Sequence, residues 1–332
     1  MSHSITLIYG DGIGPEVVQS TLDIIEAAQL KVDWDIQLLG LSALDKKQTA
    51  VPVETLDSIK RNRVALKGPT TTPIGTGHNS ANVALRKELD LYACVRPVKS
   101  IVGVESRFSD VDIVVVRENT EGLYVGQELE VQPGCVISLR TMTKKGCTRI
   151  AEAAFRFART FNRSKVTCVH KANILKMGDG LFLACVDDIA RKNPKITYDQ
   201  AIIDALCMRL VMDPSAFDVL LLENMFGDIV SDLCAGLIGG LGLVPGANIG
   251  EDCAVFEAVH GSAPDIAQKN LANPSAMIQS AVMMLRYLEE NEAAGRIEQA
   301  LFSVLKQKHL RTRDLGGEAG TREFTRSLIS LL

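Results

Sequence analysis

The chain has 332 residues, 46% of them hydrophobic and 23% charged, with a net charge of −4 at pH 7. That length holds about two domains of about 150 residues each. The composition excludes a disordered tail, a collagen-like fibre and a small disulfide scaffold, and the lack of net positive charge excludes a global basic field for nucleic acid or an anionic membrane.

The first residues, MSHSITLIYGDG, run directly into a strand pattern, without the charged, apolar or Arg-rich leader of a targeting segment. A cytoplasmic protein is expected, or a mitochondrial-matrix one if a leader has been removed. Ile5 to Tyr9 is short, apolar and β-rich. Gly10 to Gly14 follows as a turn, and Pro15 suits the first turn of a helix whose apolar face carries Val17, Leu22, Ile25 and Ala28. Asn62 to Leu66 reads as a second buried strand, and Ser80 as the cap of a helix carrying Val83, Leu85 and Leu89. Val111 to Val116 predicts a strand that delivers Arg117. Ile150 to Phe161 predicts a helix, and Lys165 to Val169 a strand ending at His170 and Lys171. Ala216 to Leu222 predicts another strand, and 276–291 and 296–305 late helices. Strands alternating with helices argue an α/β protein with much parallel pairing. With no repeat and no Pro/Ser-rich linker, a second domain is expected as an insertion. Leu233 to Gly250 is 18 residues without charge but holds six glycines and Pro245, so a Gly-rich turn region fits it better than a membrane span. None of the eight cysteines sits in C-x-x-C, and most lie in apolar company, which reads as buried thiols in a reducing compartment.

Charge is unevenly placed. Residues 210–268 contain no Lys or Arg but nine acids, whereas 140–176 contain ten Lys or Arg and one acid, Glu152. These stretches read either as oppositely charged solvated faces or as a divalent-metal site and a separate anion site. Asp228 and Asp232 are four residues apart, one helical turn, so both carboxylates point the same way. Like charges at that spacing repel by about 0.2–0.5 kcal/mol on an exposed helix. A hard cation such as Mg²⁺ turns that cost into binding, and the alternative is two exposed acids on a polar face. Arg86, Arg96 and Arg117 stand near strand or helix ends. Three fixed guanidiniums can bind a polycarboxylate by bidentate pairing, although any one alone can equally be an ion-paired surface residue. Lys171 at a strand end can become a base near neutral pH if desolvated, or be an ordinary surface lysine. Gly10-Asp-Gly12-Ile-Gly14 fails the dinucleotide fingerprint, because Pro15 stands where its third glycine belongs.

Seven segments in order resemble the β-decarboxylating dehydrogenases, the isocitrate/isopropylmalate dehydrogenase family. They are Gly10-Asp-Gly-Ile-Gly-Pro-Glu16, Asp90-Leu-Tyr-Ala-Cys-Val-Arg-Pro97, Arg117-Glu-Asn-Thr-Glu-Gly-Leu-Tyr124, Lys171-Ala-Asn173, Asn224-Met-Phe-Gly-Asp-Ile-Val-Ser-Asp232, His260-Gly-Ser-Ala-Pro-Asp-Ile266 and Ala272-Asn-Pro274. The resemblance spans nearly the whole chain. It implies an α/β fold that is not a standard Rossmann domain, with a cleft between two α/β domains. The large, discontinuous domain would comprise 1–91 and 239–332, and the small one, with the dimer interface, 92–238. It further implies a homodimer with shared active sites, alone or within a higher oligomer, with no nucleic-acid or membrane partner.

The resemblance also assigns roles. Arg86, Arg96 and Arg117 would hold substrate carboxylates. Asp228 and Asp232, with Asp204 of the neighbouring chain, would bind Mg²⁺ or Mn²⁺. Tyr124 and Lys171 would be the catalytic acid/base pair, Lys171 serving the neighbour's site. Thr71 and Asn173 would lie near the nicotinamide. His260, Gly261, Ser262, Ala263, Pro264, Asp265 and Ile266 would form the adenosine loop, and Asn273 the adenine contact. Asp265 and Ile266 imply NAD, because an acid accepts hydrogen bonds from free ribose hydroxyls and repels a 2′-phosphate. Ser80 and Asn82 imply isocitrate, since both can hydrogen-bond its γ-carboxylate. Met225-Phe226 and Cys94 depart mildly from familiar isocitrate enzymes. The expected activity is oxidative decarboxylation of isocitrate to 2-oxoglutarate and CO₂. The alternatives are homoisocitrate or 3-isopropylmalate oxidation and, from another class, a non-catalytic regulatory subunit, against which the retained catalytic positions speak.

Overall fold

The computed structural model describes residues 3–71 and 80–332. Among these are twelve strands and eleven α-helices. The strands are β1 (His3–Ile8), β2 (Val32–Gln37), β3 (Val64–Lys67), β4 (Ala93–Lys99), β5 (Asp112–Glu118), β6 (Gly122–Gln132), β7 (Cys135–Thr141), β8 (Lys165–His170), β9 (Thr197–Ile202), β10 (Val219–Leu222), β11 (Pro245–Ile249) and β12 (Ala254–Ala258). The helices are α1 (Gly14–Ala27), α2 (Leu41–Lys47), α3 (Val53–Asn62), α4 (Ala81–Glu88), α5 (Lys144–Thr160), α6 (Gly178–Arg191), α7 (Ile203–Met212), α8 (Asn224–Leu237), α9 (Ser275–Tyr287), α10 (Asn291–Lys306) and α11 (Thr321–Ile329).

Ten strands make one mixed sheet in the order β2-β1-β3-β12-β11-β4-β5-β10-β8-β9, and β6 and β7 pair separately. Pairing is parallel at both ends of the large sheet and antiparallel in its middle, where β11 meets β12 and β4, and β4 meets β5. One half of the sheet comes from residues 3–67 and 245–258, the other from 93–222, so the second half is inserted between two pieces of the first.

The parallel strands read as continuous apolar runs because helices cover both faces. Ile113, Val115, Leu220 and Leu222 enter the core on the side covered by α8, while Val114, Val116, Val219 and Leu221 enter the one shared with α5 and α6.

Several predicted elements shift. The second strand starts at Val64, since Asn62 closes α3 and Arg63, at φ +63°, turns the chain back. The strand predicted from Ala216 begins at Val219, because Pro214–Ala216 is a 3₁₀ turn capped by Asp213. The helix predicted from Ile150 starts at Lys144, where Thr143 accepts a hydrogen bond from the Gly146 N–H at 2.9 Å. The helix predicted to reach Asn291 stops at Tyr287, and Glu289, at φ +64°, separates it from α10. The uncharged segment 233–250 is the end of α8, a glycine turn and β11. No helix among the described residues is long and apolar enough to cross a membrane. All eight cysteines carry free thiols, six of them buried.

Candidate active site

A polar stripe crosses the otherwise apolar sheet, and the strand register explains it. Lys67 on β3 stands opposite Glu257 on β12, Glu257 opposite Gly246 on β11, and Asn248 opposite Cys94 on β4, which in turn faces Arg117 on β5. Arg96 is two residues from Cys94 and shares its face. The stripe floors a cavity of about 220 Å³, lined among others by Lys67, Ser80, Asn82, Arg86, Arg96, Tyr124, Asp228, Glu257, His260 and Gly261. That is a volume suited to a small polar metabolite.

The three arginines are buried, Arg117 at 1% exposure. Each has its own set of polar partners, with Asp228 shared by Arg96 and Arg117. Arg86 Nη2 donates to Glu257 Oε1 at 2.9 Å, while its buried Nε has no partner among the described residues. Glu257 also pairs with Lys67 Nζ at 2.6 Å and accepts from Asn248 Nδ2 at 2.7 Å. Arg96 Nη1 donates to Ser231 Oγ at 2.5 Å and lies 3.5 Å from Asp228 and 3.7 Å from Asp232. Arg117 pairs with Asp228 and donates from Nε and Nη2 to Asn224 Oδ1 at 3.0 and 2.7 Å.

α8 supplies the facing acids. Glu223 caps it by accepting from the Phe226 N–H at 2.8 Å. Gly227 lets the helix lie on Arg117, since a Cβ there would stand 2.5 Å from Arg117 Cγ. Asp228 and Asp232 project one turn apart. Burial raises the Asp228 carboxyl, but Arg117, the Tyr124 hydroxyl and Arg96 more than offset it and hold it below the usual aspartate range. Asp232, whose side chain is 55% exposed, is shifted upward by burial, against Arg96. Tyr124 donates its hydroxyl to Asp228 Oδ2. Burial and then the Asp228 carboxylate push the phenol upward, so it stays protonated at neutral pH.

The other predicted residues fall into three places. Asn82 accepts from Thr70 Oγ1 at 2.9 Å, which leaves its amide NH₂ without a partner among the described residues. Thr71 exchanges a hydrogen bond with Ser262 at 2.6 Å, beneath the turn where Gly12, at φ +58°, approaches the Ser262 carbonyl too closely for any Cβ. In the 260–266 loop, Ala263 adopts φ +37°, His260 is held neutral chiefly by burial, and Asp265 is exposed with no partner among the described residues. The Asn273 amide donates to Asp314 Oδ2 at 2.9 Å, and its oxygen accepts from the Ser275 N–H. Lys171 and Asp204 pair with each other and do not line the cavity, and Asn173 is exposed two residues on.

Asp228 and Asp232 suit a hard divalent cation: two oxygen donors on one face, one ionised and one half-exposed. Among the described residues no three His, Cys, Asp or Glu side chains converge as a metal set, so Asp204 does not join them within one chain. Lys67 and Glu257 were not singled out from the sequence. The signal was present, since each is a lone charge in an apolar strand, VALK and AVFEA.

Residues 4–328 match the profile of the isocitrate/isopropylmalate dehydrogenase family. The chain is 51% identical over 324 residues to the mitochondrial NAD isocitrate dehydrogenase catalytic subunit 5 of Arabidopsis thaliana, covering 97% of this chain and 87% of the relative. It is also 50% identical over 301 residues to the chloroplastic 3-isopropylmalate dehydrogenase of Solanum tuberosum, covering 90% and 84%. Among solved structures, the isocitrate dehydrogenase of Methylococcus capsulatus superposes with a TM-score of 0.97 at 51% identity over 99% of both chains.

Proposed function

Because the chain belongs to the isocitrate/isopropylmalate dehydrogenase family, we propose that it oxidises isocitrate with NAD and decarboxylates the product to 2-oxoglutarate. One observation carries this choice: the cavity joins the buried guanidiniums of Arg86 and Arg96 to a polar wall containing Ser80 and Asn82, with the Asn82 amide NH₂ unpartnered among the described residues, while Arg117 is paired with the Asp228 that lines it. An isopropyl group would strand that donor, whereas a third carboxylate accepts from it. Overall identity does not decide the substrate, since the isocitrate and isopropylmalate relatives are about equally similar.

In this reading Arg86, Arg96 and Arg117 clamp the substrate carboxylates and fix C2 and C3. Asp228 and Asp232, with Asp204 of a second chain, hold Mg²⁺ or Mn²⁺. A bound divalent ion would supply Lewis-acid polarisation of the substrate oxygens. Lys171 of the second chain takes the C2 hydroxyl proton, and a bound nicotinamide would supply the acceptor for the C2 hydride. The β-carboxylate leaves as CO₂, and Tyr124, protonated and aimed along Asp228, returns a proton to C3. Thr71, Asn173, 260–266 and Asn273 form the cofactor side, and Asp265, exposed and without a partner among the described residues, can accept from the ribose hydroxyls. The Asn273 side chain is already engaged by Asp314 and Ser275, so an adenine contact falls to its backbone.

The division 1–91 with 239–332 against 92–238 follows the two halves of the sheet. A homodimer with shared sites accounts for the apolar residues exposed near Lys171 and Asp204: Met177 at 91%, Met208 at 57% and Met212 at 70%. The names of the plant relatives place them in mitochondria and a chloroplast, which favours the matrix and gives no support to the cytoplasm.

The test is NADH formation from isocitrate, homoisocitrate and 3-isopropylmalate side by side, with Mg²⁺ or Mn²⁺, with chelator, and with NADP⁺ in place of NAD⁺. Isocitrate with NAD⁺ and metal should give the highest kcat/KM; preference for another acid overturns the substrate assignment. Tyr124→Phe should retain hydride transfer better than overall turnover, and equal loss of both would remove Tyr124 from the protonation step.

A further inference from the structure

One side chain joins the two polar clusters that the proposed reaction uses in different active sites. Arg140 is the penultimate residue of β7, with its side chain 14% exposed. Its Nη1 donates to Asp179 Oδ1 at 2.5 Å. Asp179, in the first turn of α6, is 1% exposed, and its other oxygen accepts from the Lys171 backbone N–H at 2.5 Å. On the opposite side, Arg140 Nη2 stands 3.4 Å from Glu223 Oε2. Glu223, whose side chain is 2% exposed, caps the helix that carries Asp228 and Asp232. The guanidinium carbon lies 5.4 Å from the Phe226 ring centre, in the first turn of that helix.

Two carboxylates this deeply buried are costly without a cation. The described salt bridges give both the same one, Arg140. A guanidinium is a rigid planar fork, so while one arm is hydrogen-bonded to Asp179 the other is held at a fixed angle beside Glu223 as an ion-pair contact, which a lysine ammonium does not do.

We infer that Arg140 is a positioning residue for the reaction. Through Asp179 it sets the backbone of Lys171, and through Glu223 it sets the entry of α8. The inference rests on the reading that Lys171 serves the neighbouring chain's site while α8 serves its own. Arg140 then ties together one chain's contributions to both active sites of the dimer.

Mixed dimers carrying two tags test this. The control pairs Lys171→Met with Asp228→Asn chains, each inactive alone. Shared sites leave one intact site per mixed dimer, so about half the wild-type kcat returns. If none returns, the shared-site reading fails, and the coupling falls with it before Arg140 is touched. If it returns, Arg140→Met is tested alone and in both pairings. Alone, kcat should fall about 10- to 100-fold, the size of effect set by small misplacement, with KM for isocitrate within about twofold. Paired with Lys171→Met, the remaining site uses the Lys171 of the Arg140→Met chain; paired with Asp228→Asn, it uses that chain's α8. Neither pairing should restore activity. Restoration in one shows that Arg140 acts through one end only and overturns the coupling, as does an unchanged kcat. If Arg140→Met does not assemble, Arg140→Lys goes through the same pairings. It should give intermediate rates, and full wild-type activity there shows that the fork is not needed.

Discussion

The floor of the cleft and the Lys171–Asp204 pair use the same chemistry, a carboxylate against an amine, in opposite settings. Glu257 and Lys67 are 6% and 1% exposed, and Glu257 finds Lys67, Arg86 and Asn248 within its own chain. The side chains of Lys171 and Asp204 are 27% and 68% exposed, and the segments that carry them leave Met177 and Met208 in solvent. Both acids are shifted downward. For Glu257, burial raises the carboxyl, and Lys67 and Arg86 drive it well below the usual range. For Asp204, the Lys171 hydrogen bond lowers it, with almost no burial against it. The same direction therefore means different things. At the floor, losing a partner strands a buried charge; at the exposed pair, water replaces the partner. The first pair is needed to neutralise buried charge within the chain; the second is not.

If that contrast is right, mutation should split activity from stability in opposite ways. Lys171→Met should lower steady-state NADH formation about 10³-fold, the range of a lost acid–base group, without moving the melting temperature. A lower melting temperature with retained turnover would make the pair structural. Glu257→Gln should destabilise by about 3–5 kcal/mol, because Lys67 and Arg86 remain buried without a countercharge. The check is the urea midpoint at fixed protein concentration, since dimer stability depends on it. An unchanged midpoint would show that water reaches the floor.

The pH dependence sharpens the same point. A carboxyl held below its ordinary value of 4.5 contributes stability that is fully present above that value. It is lost as the pH falls toward the folded-state value. The wild type should therefore weaken steadily as pH drops below about 4.5, and Glu257→Gln should show a flatter acid limb. Identical acid limbs would mean that other carboxylates dominate.

What the sequence made legible follows the same division. Asp228 and Asp232 could be paired from their spacing, because a helix fixes which side chains share a face. Arg117 could be placed at the end of an apolar run, and it lies within β5 one residue before its end. Lys67 and Glu257 meet only because β3 and β12 are neighbours, 190 residues apart in sequence, and no local period carries that information. Arg140 is hidden for a like reason: its partners lie on α6 and at the start of α8. The pair β6–β7 is also not legible, since Leu129 and Val131, and Ile137 and Leu139, alternate without a buried face to mark them as a sheet. Local periodicity locates elements and single residues; the partners of a buried charge are set by sheet order.

The smallest expected effect probes the exposed pair alone. Asp204 is too exposed for its pairing with Lys171 to hold the chain together, so Asp204→Asn should leave both the melting temperature and the urea midpoint unchanged. If the second chain's Asp204 completes the set begun by Asp228 and Asp232, removing one of three anionic donors should raise the Mn²⁺ concentration for half-maximal activity about 10-fold, an effect comparable to losing a supporting carboxylate at a metal site. Saturating Mn²⁺ should then recover most of the turnover, which separates a weakened metal site from a damaged base. The paired measurement on Lys171→Met should show the reverse, with turnover lost and the Mn²⁺ requirement little changed. If Asp204→Asn leaves the Mn²⁺ requirement where it was, Asp204 serves only to hold Lys171, and the cation is bound by the acids of a single chain.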